Sequence, residues 1–242
     1  MTGLLREGLE ANLLRNSHAQ VVDTLGREIV AGTIAEGDIL PRDEDLAARF
    51  GVSRTVLREA MKTLGAKGMV VARARIGTKV TSRSRWNHFD SDVLGWFLDS
   101  GVNRQFLHDL FQIRQTIEPF AASLAAEKAG REAVAAMRDH VREMAEAVDD
   151  KAFALADLAF HRKILEESGN PFLFSVGGLI EAALLTTFRL SSPAEKDETQ
   201  ATVAAAHGLV VDAIEAGDTE AASVAIREVI GFGMDRLLDQ LD

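Results

Sequence analysis

The stretch between residues 19 and 80 constrains the fold of this chain more than any other part of the sequence. Apolar residues recur at helical spacing over residues 19–34 and predict an amphipathic helix. A second short helix is predicted over residues 43–50, followed by a tight turn at Gly51. Ser53 suits the N-cap of a third helix, because its hydroxyl can accept hydrogen bonds from the free backbone N–H groups of the first turn. Two short helices joined by a glycine turn predict a helix-turn-helix, which places one helix in the major groove of DNA.

The third predicted helix combines a buried apolar stripe with a basic outer face. Leu57, Ala60, Met61 and Leu64 recur at the spacing of a buried stripe, so the cationic side chains point outward. The candidate DNA-contacting residues on this helix are Arg54, Thr55, Arg58 and Lys62. Basic outer faces are common on helices that are merely solvated, so this signal becomes specific only together with the elements around it.

Two short β-branched runs around Ile76 predict a hairpin after the third helix. Such a hairpin is the wing of a winged helix, and its cationic side chains can reach phosphates or the adjacent minor groove. The candidate contacts in this wing are Arg73, Arg75, Gly77 and Lys79, where the glycine allows a close approach of the backbone.

Charge is distributed unevenly along the chain. Residues 1–85 hold 14 lysines and arginines against 10 aspartates and glutamates, a net charge of +4, whereas the whole chain carries -10. A basic segment beside an acidic one favours a polyanion-binding module joined to a part that does not bind polyanions. The charge distribution alone fits a merely solvated surface equally well.

Composition excludes several classes of site. The chain has no cysteine, which rules out disulfides, thiolate zinc sites and a cysteine nucleophile. No signal peptide is recognisable, and the longest apolar stretch, residues 172–188, is interrupted by Glu181. We therefore expect a cytoplasmic protein without a membrane partner.

The rest of the chain is predicted to be almost wholly helical. Breaks at glycine, proline and aspartate clusters divide it into six or seven helices, which favours an antiparallel bundle. The predicted fold class is mainly α, with an N-terminal winged helix-turn-helix domain and a C-terminal all-helical bundle. The predicted divisions are an N-terminal extension (1–17), the DNA-binding domain (18–84), a connector (85–103) and a helical effector-binding domain (104–242).

Three helices of the predicted bundle carry polar residues on stripes that would otherwise be apolar. Arg114 lies on one such stripe, Asp157 and His161 on a second, and His207 on a third. A single buried histidine is more often a hydrogen-bonded core residue, but convergence of three helices favours a ligand or metal site. Asp157 and His161 are four residues apart on one face, so both can bind one metal ion. A structural ion-pair network remains an alternative.

Two parts of the sequence resemble one known family. The stretch LPRDEDLAARFGVSRTVLREAMKTLGAKGMV, followed by GTKV, is similar to the winged-helix domain of the GntR family of bacterial transcription regulators. The phrases DLFQIRQTIEPFAASLAAEKA, DLAFHRKILEESGNPFL and HGLVVDAIEAGDTEAA resemble the FCD effector domain of its FadR-like branch. The resemblance implies that Arg54 and Arg58 contact operator bases and phosphates. Glu44 stands where some relatives have a further DNA-contacting arginine, so we expect no base reading from it.

The same resemblance bears on metal binding. In metal-binding relatives two more histidines complete the site, and the first aligns with His207. The second aligns with Val229, so one ligand is missing here. The resemblance implies a divalent-metal site, zinc or nickel, that consists of Asp157, His161 and His207 and is weaker than a four-ligand site.

The effector is predicted to be a small carboxylate. Arg114 offers a rigid fork for a carboxylate group, and the connector RWNHFDSDVLGWFLDSG is similar to that of family members that respond to sugar acids. These features imply an aldonate or related sugar acid, with lactate, other organic acids and amino acids left open. The further candidate effector-binding residues are Glu118, Asn170, Glu181 and Arg189, with Thr186 beside them.

We predict a ligand-responsive transcription regulator, a repressor rather than an enzyme, that binds double-stranded operator DNA as a homodimer. One alternative is a metal-dependent enzyme that uses Asp157, His161 and His207. It is disfavoured because no motif such as HExxH places a general base beside a metal, and because an enzyme has no need of a winged helix. Another alternative is a DNA-binding protein without an effector, in which the inward polar residues form only core ion pairs.

Overall fold

The computed structural model of the protein describes the backbone over residues 3–101, 104–190 and 197–239. Side chains are described over residues 17–101, 104–184 and 200–235. The chain divides into two compact units, residues 1–101 and 102–242. The first unit combines helices with one antiparallel hairpin, and every described element of the second unit is a helix. The predicted fold class is confirmed.

The first unit follows the predicted order of elements. Its elements are α1 (Gly3–Val30), α2 (Asp43–Phe50), α3 (Arg54–Ala66), β1 (Val70–Arg73), β2 (Gly77–Val80), a 3-10 turn (Arg83–Arg85) and α4 (Ser91–Asp99). The two strands pair antiparallel, with Val70 opposite Val80. Helix α1 begins at Gly3, so most of the predicted N-terminal extension forms the first turns of this helix.

Local sequence explains the turn between α2 and α3. Gly51 adopts the left-handed conformation, with φ of 64°, which a glycine reaches without steric penalty. Ser53 caps α3, and its hydroxyl accepts a hydrogen bond from the backbone N–H of Val56 at 3.3 Å. The apolar faces of α1, α2 and α3 then meet in one core, which includes Val21, Leu25, Ile29, Leu46, Leu57, Leu64 and Val80.

The predicted connector packs with the first unit. Trp86 and Trp96 are buried in the core of this unit. A Cβ atom at Gly26 would lie 2.4 Å from the ring of Trp96, so α1 approaches this indole closely at a residue without a side chain. The indole N–H of Trp96 donates to Asp23 at 2.8 Å. Residues 85–101 therefore belong structurally to the first unit, because two large aromatic side chains complete its core.

A buried lysine forms ion pairs between the end of α3 and the start of α4. The ammonium of Lys67 lies 2.6 Å from Asp90 and 2.7 Å from Asp92. Burial lowers the pKa of Lys67, but the hydrogen bonds and negative charges of the two aspartates outweigh burial, so the net shift is upward. Asp90 also caps α4 by accepting from the backbone N–H of Asp92 at 3.0 Å.

The second unit is a bundle around one apolar core. Its elements are α5 (Arg104–Lys128), α6 (Arg131–Ala145), α7 (Asp150–Glu167), α8 (Pro171–Ser175), α9 (Gly177–Leu190), α10 (Asp197–Ala216) and α11 (Thr219–Asp239). Helix α5 packs against α7 and α11, and α10 packs against α6 and α11. The core includes Phe111, Met137, Phe153, Phe160, Ile164, Val210 and Ile226. None of the described helices is long and apolar enough to cross a membrane.

Candidate DNA-binding surface and effector site

The basic residues predicted on the third helix lie on one exposed face of α3. Arg54, Thr55, Arg58 and Lys62 are exposed. Leu57, Ala60 and Leu64 of the predicted stripe are buried on the opposite side of the same helix, whereas Met61 is only half-buried. This arrangement leaves the outer face of α3 available to a nucleic acid.

Acidic side chains lie among these cations. Arg54 donates from Nη2 to Glu44 at 2.7 Å, and Lys62 donates to Glu59 at 2.7 Å. Beside Arg58 runs a surface groove of about 390 Å³, lined by Asp43, Arg58, Met61, Lys62, Gly65, Val70, Ala72 and Thr78. The pair of Arg54 with Glu44 joins two helices, because Glu44 lies on α2 and Arg54 on α3.

The hairpin exposes the predicted wing residues. Arg73, Arg75 and Lys79 are exposed, and Arg75 has a positive φ of 63° at the tip. Gly77 has a φ of 118°, and a Cβ atom there would lie 3.3 Å from the side chain of Ile39. Glycine therefore permits both the backbone conformation and the close packing of the hairpin.

Five charged or titratable side chains meet in the interior of the second unit. Arg114 and Glu118 belong to α5, Asp157 and His161 to α7, and His207 to α10, and none of them is more than 5% exposed. Ligand atoms of Asp157, His161 and His207 lie within 4.8 Å of one another. We call these five residues the polar cluster.

Glu118 is the partner of two members of the polar cluster. Arg114 Nε donates to Glu118 Oε1 at 2.5 Å, and His161 Nδ1 donates to Glu118 Oε2 at 2.5 Å. Arg114 Nη2 also lies 3.4 Å from His161 Nε2. Because a guanidinium has only donors, Nε2 of His161 is the acceptor in this contact and the proton resides on Nδ1.

His207 is oriented by the backbone. Its Nδ1 donates to the carbonyl oxygen of Val203 at 2.7 Å, which leaves Nε2 without a proton in the neutral ring. Nε2 lies 2.8 Å from Asp157 Oδ1, yet their relative orientation is not that of a hydrogen bond, and Nε2 has no hydrogen-bond partner. A lone pair and a carboxylate oxygen at this distance repel each other unless a proton or a metal ion lies between them.

Both buried carboxylates are held in the ionised form. Burial alone raises the pKa of Glu118, but the charges and hydrogen bonds of Arg114 and His161 lower it from 4.5 to about 2. Burial likewise raises the pKa of Asp157, but the nearby His207, His161 and Arg114 lower it from 3.8 to about 2. The polar cluster therefore holds two carboxylates and one guanidinium beside the two imidazoles.

These residues fit a divalent cation. Two imidazole nitrogens and one carboxylate oxygen are ligands that zinc and nickel accept. Each histidine is also oriented through its other ring nitrogen, by Glu118 for His161 and by the Val203 carbonyl for His207, as ligating histidines commonly are. Val229 is buried in the apolar core and offers no donor atom.

The remaining predicted effector residues are placed differently. Asn170 caps α8, where its side chain accepts from the backbone N–H of Phe172 at 3.0 Å, and it follows the end of the helix that carries His161. Glu181 is half-buried on α9. The side chains of Thr186 and Arg189 lie outside the described residues.

Two pairings were not anticipated from the sequence. Arg114 and Glu118 were treated as separate effector contacts, although their spacing of four residues on a helix favours an ion pair. The contact between Glu44 and Arg54 joins two helices, and no local pattern indicates it.

Comparisons with known proteins agree with this architecture. The family described as bacterial regulatory proteins, gntR family, matches residues 17–80, and the FCD domain matches residues 109–232. The HTH-type transcriptional regulator YieP of Escherichia coli is 35% identical over 89% of this chain and 93% of its own length. The galactonate operon transcriptional repressor of Escherichia coli is 30% identical over 92% of this chain and 97% of its own length.

A solved structure shows the same fold. Lar, which controls the expression of the Listeria monocytogenes agr system, superposes with a TM-score of 0.63 at 18% identity. The superposition covers 92% of this chain and 96% of the Lar chain.

Proposed function

Because the chain belongs to the GntR family of bacterial transcription regulators and carries an FCD domain, we propose that it is a repressor released by a small carboxylate. The single observation that carries this proposal is the polar cluster. Five buried charged or titratable groups stand where a purely structural bundle would be apolar. A buried site of this kind in a DNA-binding protein is suited to sensing a ligand.

DNA binding is assigned to α3 and the hairpin. Arg54 and Arg58 lie one helical turn apart on the exposed face, and each guanidinium can make a bidentate contact with a guanine or clamp a phosphate. Thr55, Lys62 and the wing residues would support this contact through phosphates. Replacing Arg58 by alanine should weaken operator binding by about 1–3 kcal/mol if it reads a base. Unchanged binding by both the Arg54→Ala and Arg58→Ala variants would contradict this assignment.

The effector is assigned to the bundle, near Arg114. Its guanidinium uses Nε and Nη2 for Glu118, and a bidentate carboxylate would have to share or displace this contact. The galactonate operon repressor, 30% identical, acts on an operon named for a sugar acid. We therefore propose an aldonate or a related hydroxylated acid as the ligand class, with Glu118 and Glu181 as candidate partners of its hydroxyls.

Cation and effector should bind together. Asp157, His161 and His207 would hold zinc or nickel, which supplies a Lewis-acidic charge for effector oxygens. The polar cluster already holds two carboxylates, so an anionic effector adds repulsion that a bound cation offsets. Val229→His would restore a fourth ligand and should raise the affinity for the metal. Val229→Ala is the control, because it changes the same position without adding a ligand, and it should leave the metal affinity unchanged.

We also propose that the protein acts as a homodimer. A single winged helix presents little surface for tight specific binding, whereas a two-fold dimer doubles the contacts on a palindromic site. Sedimentation velocity at micromolar concentration, with and without DNA, checks this. A strictly monomeric species in both conditions would contradict it.

The experiment that tests the sensor is a thermal-shift screen of sugar acids and organic acids, each with a chelator, with zinc and with nickel. A true effector should raise the melting temperature and change operator affinity, because a ligand shifts DNA binding only by its differential affinity for the two states. The test variant is Arg114→Lys, which keeps the positive charge but loses the planar guanidinium that can bind a carboxylate through two N–H groups. The control variant is Glu127→Gln, at an exposed position. Operator binding that is insensitive to every stabilising ligand would favour the DNA-binding protein without an effector.

A further inference from the structure

The outer face of α3 is less cationic than its sequence suggests, because acidic side chains neutralise it. Arg54 is paired with Glu44, Lys62 with Glu59, and Asp43 lines the same groove as Arg58. Glu44 is the one that reaches across from a different helix to the first residue of α3. We propose that Glu44 is a positioning and specificity-determining residue for DNA recognition by Arg54.

Stability does not explain this contact. The side chains of Arg54 and Glu44 are 66% and 71% exposed, and exposed ion pairs contribute little to folding. The contact instead determines which partners the guanidinium accepts. This inference rests on the proposed placement of α3 against DNA.

Glu44 acts on Arg54 in two ways. First, it occupies Nη2, so the remaining guanidinium donors are held in a limited range of directions, which favours a defined bidentate contact over many weak ones. Second, its carboxylate repels any phosphate that approaches Arg54, which disfavours contacts that carry no sequence information. A guanine carries no formal charge, so its repulsion by the carboxylate is weaker than that of a phosphate.

Glu44 therefore lowers affinity for random DNA more than affinity for the operator. Specificity is the difference between the two affinities, and an element that repels the wrong partner increases it.

The test compares two duplexes of equal length, one enriched by the wild-type protein from a random-sequence library and one scrambled. Glu44→Gln removes the charge and keeps the shape. We expect scrambled-duplex affinity to rise and the ratio of the two affinities to fall about 10-fold, the typical size of one base-reading contact. The slope of log affinity against log salt should steepen by about one for each bound subunit, because Arg54 is then free to neutralise a phosphate.

Glu127→Gln is the control, since it makes the same change of charge at an exposed position in the second unit. It should leave both the ratio and the salt slope at the wild-type values. In an Arg54→Ala background, Glu44→Gln should have almost no effect, because the two residues act as one unit. The inference would be overturned if Glu44→Gln left the affinity ratio and the salt slope at the wild-type values. It would also be overturned if Glu44→Gln changed them equally in the Arg54→Ala background.

Failure of the proposed function has a different signature. If Arg54→Ala and Arg58→Ala both bind the enriched duplex as tightly as the wild type, α3 does not read DNA, and the placement itself is overturned. Loss of binding in those two variants with a silent Glu44→Gln overturns the role of Glu44 alone.

Discussion

Both units have ion pairs at the surface, but only the second unit has the polar cluster of paired charges in the interior among the described residues. In the first unit the pairs are mostly at the surface, as for Arg54 with Glu44 and Arg49 with Glu28, and Lys67 is the buried exception. In the second unit, Arg114 and Glu118 form an ion pair whose side chains are only 3% and 2% exposed. The same interaction therefore has different consequences in the two units.

The difference follows from what each unit binds. A surface that meets DNA keeps its cations in water, where pairs can be exchanged for phosphates at small free-energy cost. A sensor that encloses a small ligand must bury polar groups, and each buried charge then depends on its partner. Removing one partner should thus be severe for the buried pair of Arg114 with Glu118 and mild for the exposed pairs of the first unit.

The largest expected effect comes from Glu118→Leu, which leaves the buried Arg114 without its carboxylate. We expect the free energy of unfolding of the bundle to fall by about 3–5 kcal/mol. The double variant Arg114→Met with Glu118→Leu should recover part of this loss, because the guanidinium is no longer buried without a carboxylate, whereas His161 Nδ1 still lacks its acceptor. Urea denaturation in a chelator, followed by far-ultraviolet circular dichroism, measures both. If Glu118→Leu lowered the free energy of unfolding by less than about 1 kcal/mol, the buried pair would contribute no more than an exposed one.

Acid should destabilise the bundle in a defined window. The pKa values of Glu118 and Asp157 are about 2 in the folded state, against 4.5 and 3.8 for the free groups. As pH falls below 4.5, the unfolded state binds protons first, so stability present at neutral pH is lost down to about pH 2. The loss should be on the order of 2 kcal/mol for each carboxyl. Urea denaturation at intervals between pH 6 and about pH 2.5 checks it, and Asp157→Asn should flatten the curve where Glu127→Gln does not.

In the first unit one sensitive position is steric rather than electrostatic. Gly26→Ala should favour the helical conformation of α1, yet the new Cβ would lie 2.4 Å from Trp96. We expect a net loss of about 1–3 kcal/mol from overpacking. Gly95→Ala is the control, because nothing lies within 4 Å of its Cβ position. Both tryptophans of the chain, Trp86 and Trp96, belong to the first unit, so tryptophan fluorescence follows its unfolding alone. Equal stability of the two variants would show that the contact with α4 tolerates the added methyl group.

The smallest effect is expected at the exposed pair of Arg49 with Glu28. Arg49 Nη1 donates to Glu28 at 3.0 Å, but the arginine side chain is 44% exposed. Arg49→Gln should lower the free energy of unfolding of the first unit by less than about 1 kcal/mol. Fluorescence-detected denaturation with and without added salt measures this, since the wild type should also lose that difference in high salt. A loss comparable to that of Glu118→Leu would mean that exposure does not separate the two classes of ion pair.

Much of the fold could be predicted because it depends on patterns within short segments of the sequence. The apolar spacing of α1 and α3, the left-handed Gly51 and the cap at Ser53 are properties of short segments. The helical period also placed Asp157 and His161 on one inward face. The packing of Trp96 against Gly26 was not predicted, because it depends on how α4 returns to α1.

By itself, the amino-acid sequence determined the order of helices, the basic outer face of α3 and the inward direction of the polar residues in the bundle. Helical periodicity determines which face a side chain occupies, and the hydrophobic effect determines which face is buried. Only the tertiary structure decided which atoms pair. Glu118 bridges Arg114 and His161, the ring of His207 turns its free nitrogen toward Asp157, and Glu44 reaches Arg54. These contacts depend on the separation of helices and on side-chain rotamers, and neither is encoded in the spacing of residues along one helix.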